Sequence, residues 1–528
     1  MKDAERYPGG KLTVTAKVLR SLGHDIGESI VEGPEGLLNL LAGIFDPEGE
    51  YGYIPDLALL ELKVREVEKT DLPDFDECNG YWINPSLNVI RTGWRGLTGF
   101  FREGEDVVPA PGECLVLMWK DRRGGIHIEE QRNDLILALK IAAENLDLRR
   151  LSEDTGRGVP SLRGLLYSAE ESGILKRPTS RVRRNYDRID SNIFPDNKFL
   201  AAETFTLQWH ITQACDLHCK HCYDRSNREY LTFEKALYVL DQFYEFCIEK
   251  GVSGQVSFSG GNPFLHSSFF RIYEEAVKRG FVVAVLGNPV TEERLRELLS
   301  IRKPSFYQVS LEGLKDRNDW VRGEGHFERT LDFLSLLGRF GIYRMVMLTL
   351  TESNFRDVIP LAEQLRRLAD TFTFNRLSMV GEGENLRLPP QGEFRIFLEE
   401  YLAACNDNVS LSLKDNFFNI LRVGKGEPPI GGCTGYGCGA AFNFVSVLPD
   451  GEVHACRKFP SLIGNIYEDS LLEIYDSPIA DRYREGPSEC RDCSLRLVCR
   501  GCLAVAYSHK LDPFKDKDPY CFIQDPDR

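Results

Sequence analysis

Between residues 203 and 400 the chain alternates strand-like and helix-like patterns six times, and this rhythm restricts the fold more than any other feature. Short apolar runs at Thr204–Ile211, Gln255–Ser259, Phe281–Leu286, Phe306–Glu312, Tyr343–Leu350 and Thr373–Met379 predict strands. The stretches between them predict helices. In the first, Ala236, Leu237, Leu240, Phe243, Tyr244 and Cys247 recur at three-to-four spacing, which is one buried face. Repeated βα units require parallel strands joined by right-handed crossovers. Six of them make an α/β fold, a partial (β/α)6 TIM-like barrel. Chemistry in such barrels sits at the carboxyl ends of the strands.

The loop after the first strand reads Cys215-Asp-Leu-His-Cys219-Lys-His-Cys222-Tyr223. Three thiolates on one tight loop can hold three irons of a [4Fe-4S] cube, whereas a full cubane site uses four cysteines. The fourth iron is then open to a small molecule and can pass it an electron. The alternative is a zinc knot. Zinc prefers four closed ligands, and no fourth stands at suitable spacing, since His218 and His221 lie inside the loop.

Cysteine usage continues the theme. Of 15 cysteines, most fall into two clusters, Cys215 to Cys222 and Cys433 to Cys521. The second cluster holds Cys433, Cys438, Cys456, Cys490, Cys493, Cys499, Cys502 and Cys521, a strong soft-metal signal. Cys438 and Cys456 bracket a predicted hairpin from Phe444 to Val453 that turns at Asp450-Gly451. Taken alone, the Cys490 to Cys502 run would also suit two zinc sites in a scaffold protein. The first twenty residues lack the apolar core of a signal peptide, and no run reaches the length of a membrane span. A cytosolic protein is expected, in which clustered cysteines point to metal or redox work rather than disulfides. A net charge of −15 argues against general nucleic-acid binding.

The remaining segments are quieter. Residues 1–108 contain two predicted helices, Leu37–Phe45 and Leu57–Val67, and a strand-like run, Tyr81–Ile90, with no assignable chemistry. Residues 109–178 predict a hairpin (Cys114–Trp119, a turn at Asp121–Gly125, Ile126–Glu129) and then helices at Asp134–Asn145, Leu148–Thr155 and Pro160–Ser172. Residues 179–202 read as a linker, basic at its start through Arg181, Arg183 and Arg184. The barrel is expected over 203–400 and the cysteine-rich domain over 401–528.

The three-cysteine loop resembles that of the radical S-adenosylmethionine (SAM) enzymes. The resemblance implies that the open iron chelates the amino and carboxylate groups of SAM, and that electron transfer into the sulfonium releases a 5′-deoxyadenosyl radical. It implies cofactor contacts from Tyr223 and from Gly260, Gly261, Asn262 and Pro263. This last run is similar to the family's GGEP segment at the methionine amino group, with Asn262 where Glu is usual. Val309-Ser310-Leu311-Glu312-Gly313, followed by Arg322-Gly323, resembles another family segment; by it Ser310 and Glu312 would lie near the ribose and Arg322 near the SAM carboxylate.

The C-terminal array resembles the SPASM extension of peptide-modifying members. That implies one auxiliary [4Fe-4S] cluster on Cys433, Cys438, Cys456 and Cys502 and a second on Cys490, Cys493, Cys499 and Cys521, three clusters in all. Two residues rather than the usual three precede Cys502. The hairpin with three helices is similar to precursor-peptide recognition elements, in which a leader peptide adds a strand to a sheet edge; a winged-helix scaffold or a DNA-binding module are the other readings. Together these imply a maturase of a ribosomally synthesised precursor peptide, most like the selenobiotic or thio(seleno)oxazole type, forming a thioether or related crosslink and fed by flavodoxin or ferredoxin. A sulfatase-type maturase that makes formylglycine shares every cluster motif.

Overall fold

The parallel strands expected from the alternation are present, and the longer ones, Thr204–Thr212, Ser253–Gly260 and Arg344–Leu350, are buried over more than half their length, as parallel strands with both faces covered must be. The computed structural model describes residues 13–23, 33–72, 80–102, 107–121, 123–186, 189–194 and 198–523. The chain divides into two units, residues 1–179 and 180–528. Among the described residues no helix is long and apolar enough to cross a membrane.

The first unit contains β1 (Trp82–Ile83), β2 (Asn88–Arg95), β3 (Ala110–Lys120), β4 (Ile126–Glu130) and β5 (Leu175–Lys176). Strands β2, β3 and β4 form an antiparallel sheet, and β1 pairs with β5. The Asp121 carboxylate closes the β3–β4 turn by accepting from the Gly125 and Arg123 amides, both at 2.8 Å. The boundary expected at residue 108 falls inside this sheet, because β2 pairs with β3 across it. Alternation along β3 explains why. Val116 and Met118 point into one core, with Leu57 and Leu60 of the helix Ile54–Lys69. Leu117 and Trp119 point into another, with Leu135, Leu162 and Leu166 of the later helices. A strand with both faces apolar needs cover on both, so the hairpin packs with the described residues before it, the helix Ile54–Lys69 among them, in one body. Cys78 lies outside the described residues.

In the second unit β6 (Thr204–Thr212), β7 (Ser253–Gly260), β8 (Val282–Leu286), β9 (Tyr307–Ser310), β10 (Arg344–Leu350) and β11 (Thr371–Arg376) lie side by side in chain order, all parallel. This is the six-stranded partial barrel. Its first helix, Phe233–Lys250, starts where the Thr232 hydroxyl accepts from the Lys235 amide and stops at Gly251, whose φ of +64° suits glycine. Ala236, Leu240, Phe243, Tyr244 and Cys247 are buried as the spacing predicts.

The free edge of β6 is not left open. β12 (Phe444–Val447) pairs with it in parallel, and β13 (Glu452–His454) and β14 (Leu462–Asn465) continue antiparallel, giving nine strands. The cysteine-rich hairpin is thus an extension of the barrel sheet. The helix Gln391–Ala404 runs across residue 400 and buries Phe394, Phe397, Leu398 and Tyr401 in the common core.

Nor is Arg184, in the expected linker, solvated. Arg184 is 4% exposed. It donates to the carbonyls of Tyr436, Leu497 and Cys438. Phe194, Phe199 and Leu200 pack on Leu497 and Val498. Carbonyl acceptors inside the fold satisfy a guanidinium that the sequence alone would place in water.

Candidate active site

The three-cysteine loop leaves the carboxyl end of β6 and is gripped by the ends of the strands beside it. From β7, the Gly261 amide donates to Thr212 O and the Asn262 amide to Ala214 O, both at 2.8 Å. A Cβ on Gly260 would lie 2.2 Å from Thr212 O, and one on Gly261 would lie 2.1 Å from Ala214 O. These glycines are required because two backbones touch there. Past β8, Asn288 Nδ2 reaches Cys215 Sγ at 3.7 Å and Asp216 Oδ1 at 2.6 Å. Past β9, the Lys220 amide donates to Val321 O, and Arg322 Nη1 approaches Cys219 Sγ at 3.6 Å. Past β11, the Glu382 amide donates to Cys222 O.

Glu312 is the hub of this grip. It is 1% exposed. Its Oε1 accepts from Arg322 Nε and Nη2 at 3.0 and 2.6 Å and meets His221 Nε2 at 3.0 Å. Its Oε2 accepts from the Thr349 amide of β10 at 2.7 Å. Burial would raise its pKa, but the charges and hydrogen bonds of His221 and Arg322 outweigh that and hold it at about 2. Glu312 and Arg322 are thus directed at each other and at the cysteine loop. Ser310 closes β9, in register with Met347. Asn262 is 3% exposed; its side chain accepts from the Phe264 amide and donates to Asp216, and Pro263 opens the short turn that follows. Tyr223 does not sit in the open. Its ring lies beneath Arg457, and its hydroxyl is 3.4 Å from Nε2 of His210.

The donor set suits a cube. The charges of Cys215 and Cys222 both bear on Cys219, whose thiol is pushed up by burial while Arg322 pulls it back. Among the described residues no three His, Cys, Asp or Glu side chains close on one point as a single ion needs.

The C-terminal cysteines gather as two sets of four. Cys433, Cys438, Cys456 and Cys502 line one cavity, with Lys414, Lys458 and Arg376. Burial pushes the Cys433 thiol up to about 11, opposed by Lys414, and the Cys456 thiol up to about 12. Lys458 Nζ stands 3.9 Å from Cys502 Sγ. In the second set, Cys499 is buried, and its thiol is pushed well up by burial and by Cys493, Cys521 and Cys490. Two residues with no motif tie the sets together. Asn416 accepts from the Cys433 amide and donates to Cys499 O. Asp518 accepts from the Cys502 amide at 2.8 Å, while its own carbonyl accepts from Cys521 N. Asn288, which ends the third predicted strand and was expected there to line the site, does so; the roles of Asp216, His221, Asn416 and Asp518 escaped sequence reasoning because they depend on partners far away in the chain. The one local signal was position, Asp216 and His221 lying inside the cysteine motif.

Residues 209–365 match the model of the radical SAM superfamily, and residues 438–502 that of SPASM, an iron-sulfur cluster-binding domain. The chain is 27% identical over 312 residues to the antilisterial bacteriocin subtilosin biosynthesis protein AlbA of Bacillus subtilis (strain 168), covering 55% of this chain and 65% of that protein. It is 28% identical over 335 residues to mycofactocin maturase MftC of Mycolicibacterium smegmatis (60% and 82% covered). It is also 28% identical over 349 residues to AdoMet-dependent heme synthase of Methanosarcina barkeri (60% and 96% covered). Among solved structures, Streptococcus suis SuiB bound to precursor peptide SuiA superposes with a TM-score of 0.51 at 16% identity, covering 78% of this chain and 96% of that one, a likeness of fold. The strand-end grip on three cysteines and these matches agree: the chain carries a radical SAM domain and a SPASM domain.

Proposed function

We propose that this protein is a maturase that cleaves SAM reductively at a [4Fe-4S] cube on Cys215, Cys219 and Cys222 and modifies a ribosomally synthesised precursor peptide. The observation that carries this reading is the grip of the barrel strand ends on the cysteine loop. When bound, the cube and SAM supply an electron and a 5′-deoxyadenosyl radical that takes a hydrogen atom from substrate. The chain's own part is positioning. Gly260 and Gly261 let β7 abut the loop, and Glu312 and Arg322 lock its far side. Gly260 to Pro263 line the methionine end of the cofactor, and Ser310 its ribose.

Cys433, Cys438, Cys456 and Cys502 would hold one auxiliary cube, and Cys490, Cys493, Cys499 and Cys521 the other. Lysines beside the first set offset the charge of a thiolate-bound cluster. The peptide substrate is supported by relatives named for bacteriocin biosynthesis and mycofactocin maturation. In the first unit β4 lies at a sheet edge, where a leader peptide would add a strand. The product would be a thioether or related crosslink, with flavodoxin or ferredoxin as electron donor in the cytosol. The test is incubation of cluster-loaded protein with SAM, dithionite and the peptide encoded beside its gene. 5′-Deoxyadenosine and loss of two hydrogens from the peptide are expected. Absence of 5′-deoxyadenosine with intact clusters would reject the reading.

A further inference from the structure

We propose that Asp216 supplies the carboxylate that receives the α-amino group of SAM, the part that position 262 cannot play here. This rests on the reading of the site as a radical SAM centre. Asn262 stands where the related segment carries Glu, so the end of β7 brings no negative charge. The other carboxylate of the site, Glu312, is buried, ion-paired with Arg322 and within hydrogen-bond distance of His221. Asp216 differs from it in every respect. It follows Cys215 directly and is exposed, and it accepts hydrogen bonds from two neutral amides, Asn262 and Asn288.

Its orientation is built, not incidental. Asn262 Nδ2 and Asn288 Nδ2 donate to the same oxygen, Oδ1, at 3.1 and 2.6 Å. Both asparagines are themselves held. Asn262 is 3% and Asn288 8% exposed. The carbonyl of Asn288 accepts from the Tyr307 hydroxyl at 2.7 Å, and the Asn262 side chain accepts from Phe264 N. Two buried amides therefore fix one carboxylate oxygen, Oδ1, at the rim of the loop. A carboxylate there accepts from an amine and favours the nearby sulfonium charge. A glutamate at 262 would confront Asp216 with a like charge; asparagine offers it a donor instead.

Full-length cluster-loaded protein is titrated with SAM and with the desamino analogue, which lacks the amine. Affinity and the change in the electron paramagnetic resonance spectrum of the reduced cluster are recorded for wild type, Asp216→Asn, Asn262→Glu and the double variant. Asn at 216 can still accept from both amides, so the loop should keep its iron. The expected result is at least a tenfold loss of SAM affinity in Asp216→Asn, no change for the desamino analogue, and recovery in the double variant. SAM affinity within twofold of wild type, or equal losses for both ligands, would overturn the proposal. A wild-type protein whose spectrum ignores SAM would instead overturn the radical SAM reading itself.

Discussion

Arg457 lies over the ring of Tyr223, with its guanidinium carbon 4.6 Å from the ring centre. One residue follows Cys456 and the other follows Cys222, so a single stacked pair joins the barrel loop to the first auxiliary set. Arg457 also pairs with Asp224, and Arg228 links Asp224 to Asp450 and Glu452 on the hairpin. Replacing Arg457 by Ala removes the stacking and leaves Asp224 short of a partner in a mostly buried place. A loss of about 3 kcal/mol is expected, read as a lower urea midpoint. Arg457→Lys, which keeps the charge but not the planar stack, should lose less.

Glu312→Gln should loosen the cysteine loop, leaving Arg322 and His221 beside a neutral amide. The folded pKa of Glu312 is depressed from 4.5 to about 2. Its charged form therefore adds stability that is fully present above the unfolded value and disappears as pH falls through about 2. The gap between wild type and variant should be about 3 kcal/mol at pH 7 and shrink progressively below pH 4.5. Denaturant titrations of metal-free protein at pH 7 and pH 3 check this; a gap that widens in acid would contradict it.

Gly261→Ala places a methyl 2.1 Å from Ala214 O. Backbone cannot yield that far cheaply, so the cysteine loop must leave β7. Iron in the first cluster should fall by most of its content while the C-terminal sets stay loaded, measured by iron assay and by SAM-induced spectral change. Gly392, at the start of an outer helix with open space around it, is the control, and Gly392→Ala should retain full loading.

Cys502 lines the cavity with Cys433, Cys438 and Cys456, despite the short spacing before it. If it ligates, wild type should hold about twelve irons in three four-iron clusters, and Cys502→Ala should lose up to four. Cys405, outside both sets, lies on the core, and Cys405→Ala should keep the full complement. Equal iron in both variants would remove Cys502 from the ligand set.

The six barrel strands were legible in the linear chain because burial on both faces writes itself as short apolar runs, and helix periodicity separates them. The cysteine spacing was legible for a similar reason: neighbours in a tight loop are neighbours in space. What eluded reading were relationships between distant segments. Residues 1–108 joined the hairpin because Val116 and Met118 needed cover from helices upstream. Arg184 read as solvated until the carbonyls of Tyr436, Leu497 and Cys438 surrounded it. Nothing near Tyr223 in the sequence announced Arg457, over two hundred residues later, which lies over its ring. Local patterns record the preferences of a residue for its own turn or strand. Which remote partner satisfies a buried charge, or reaches a loop first, is settled only when the chain packs.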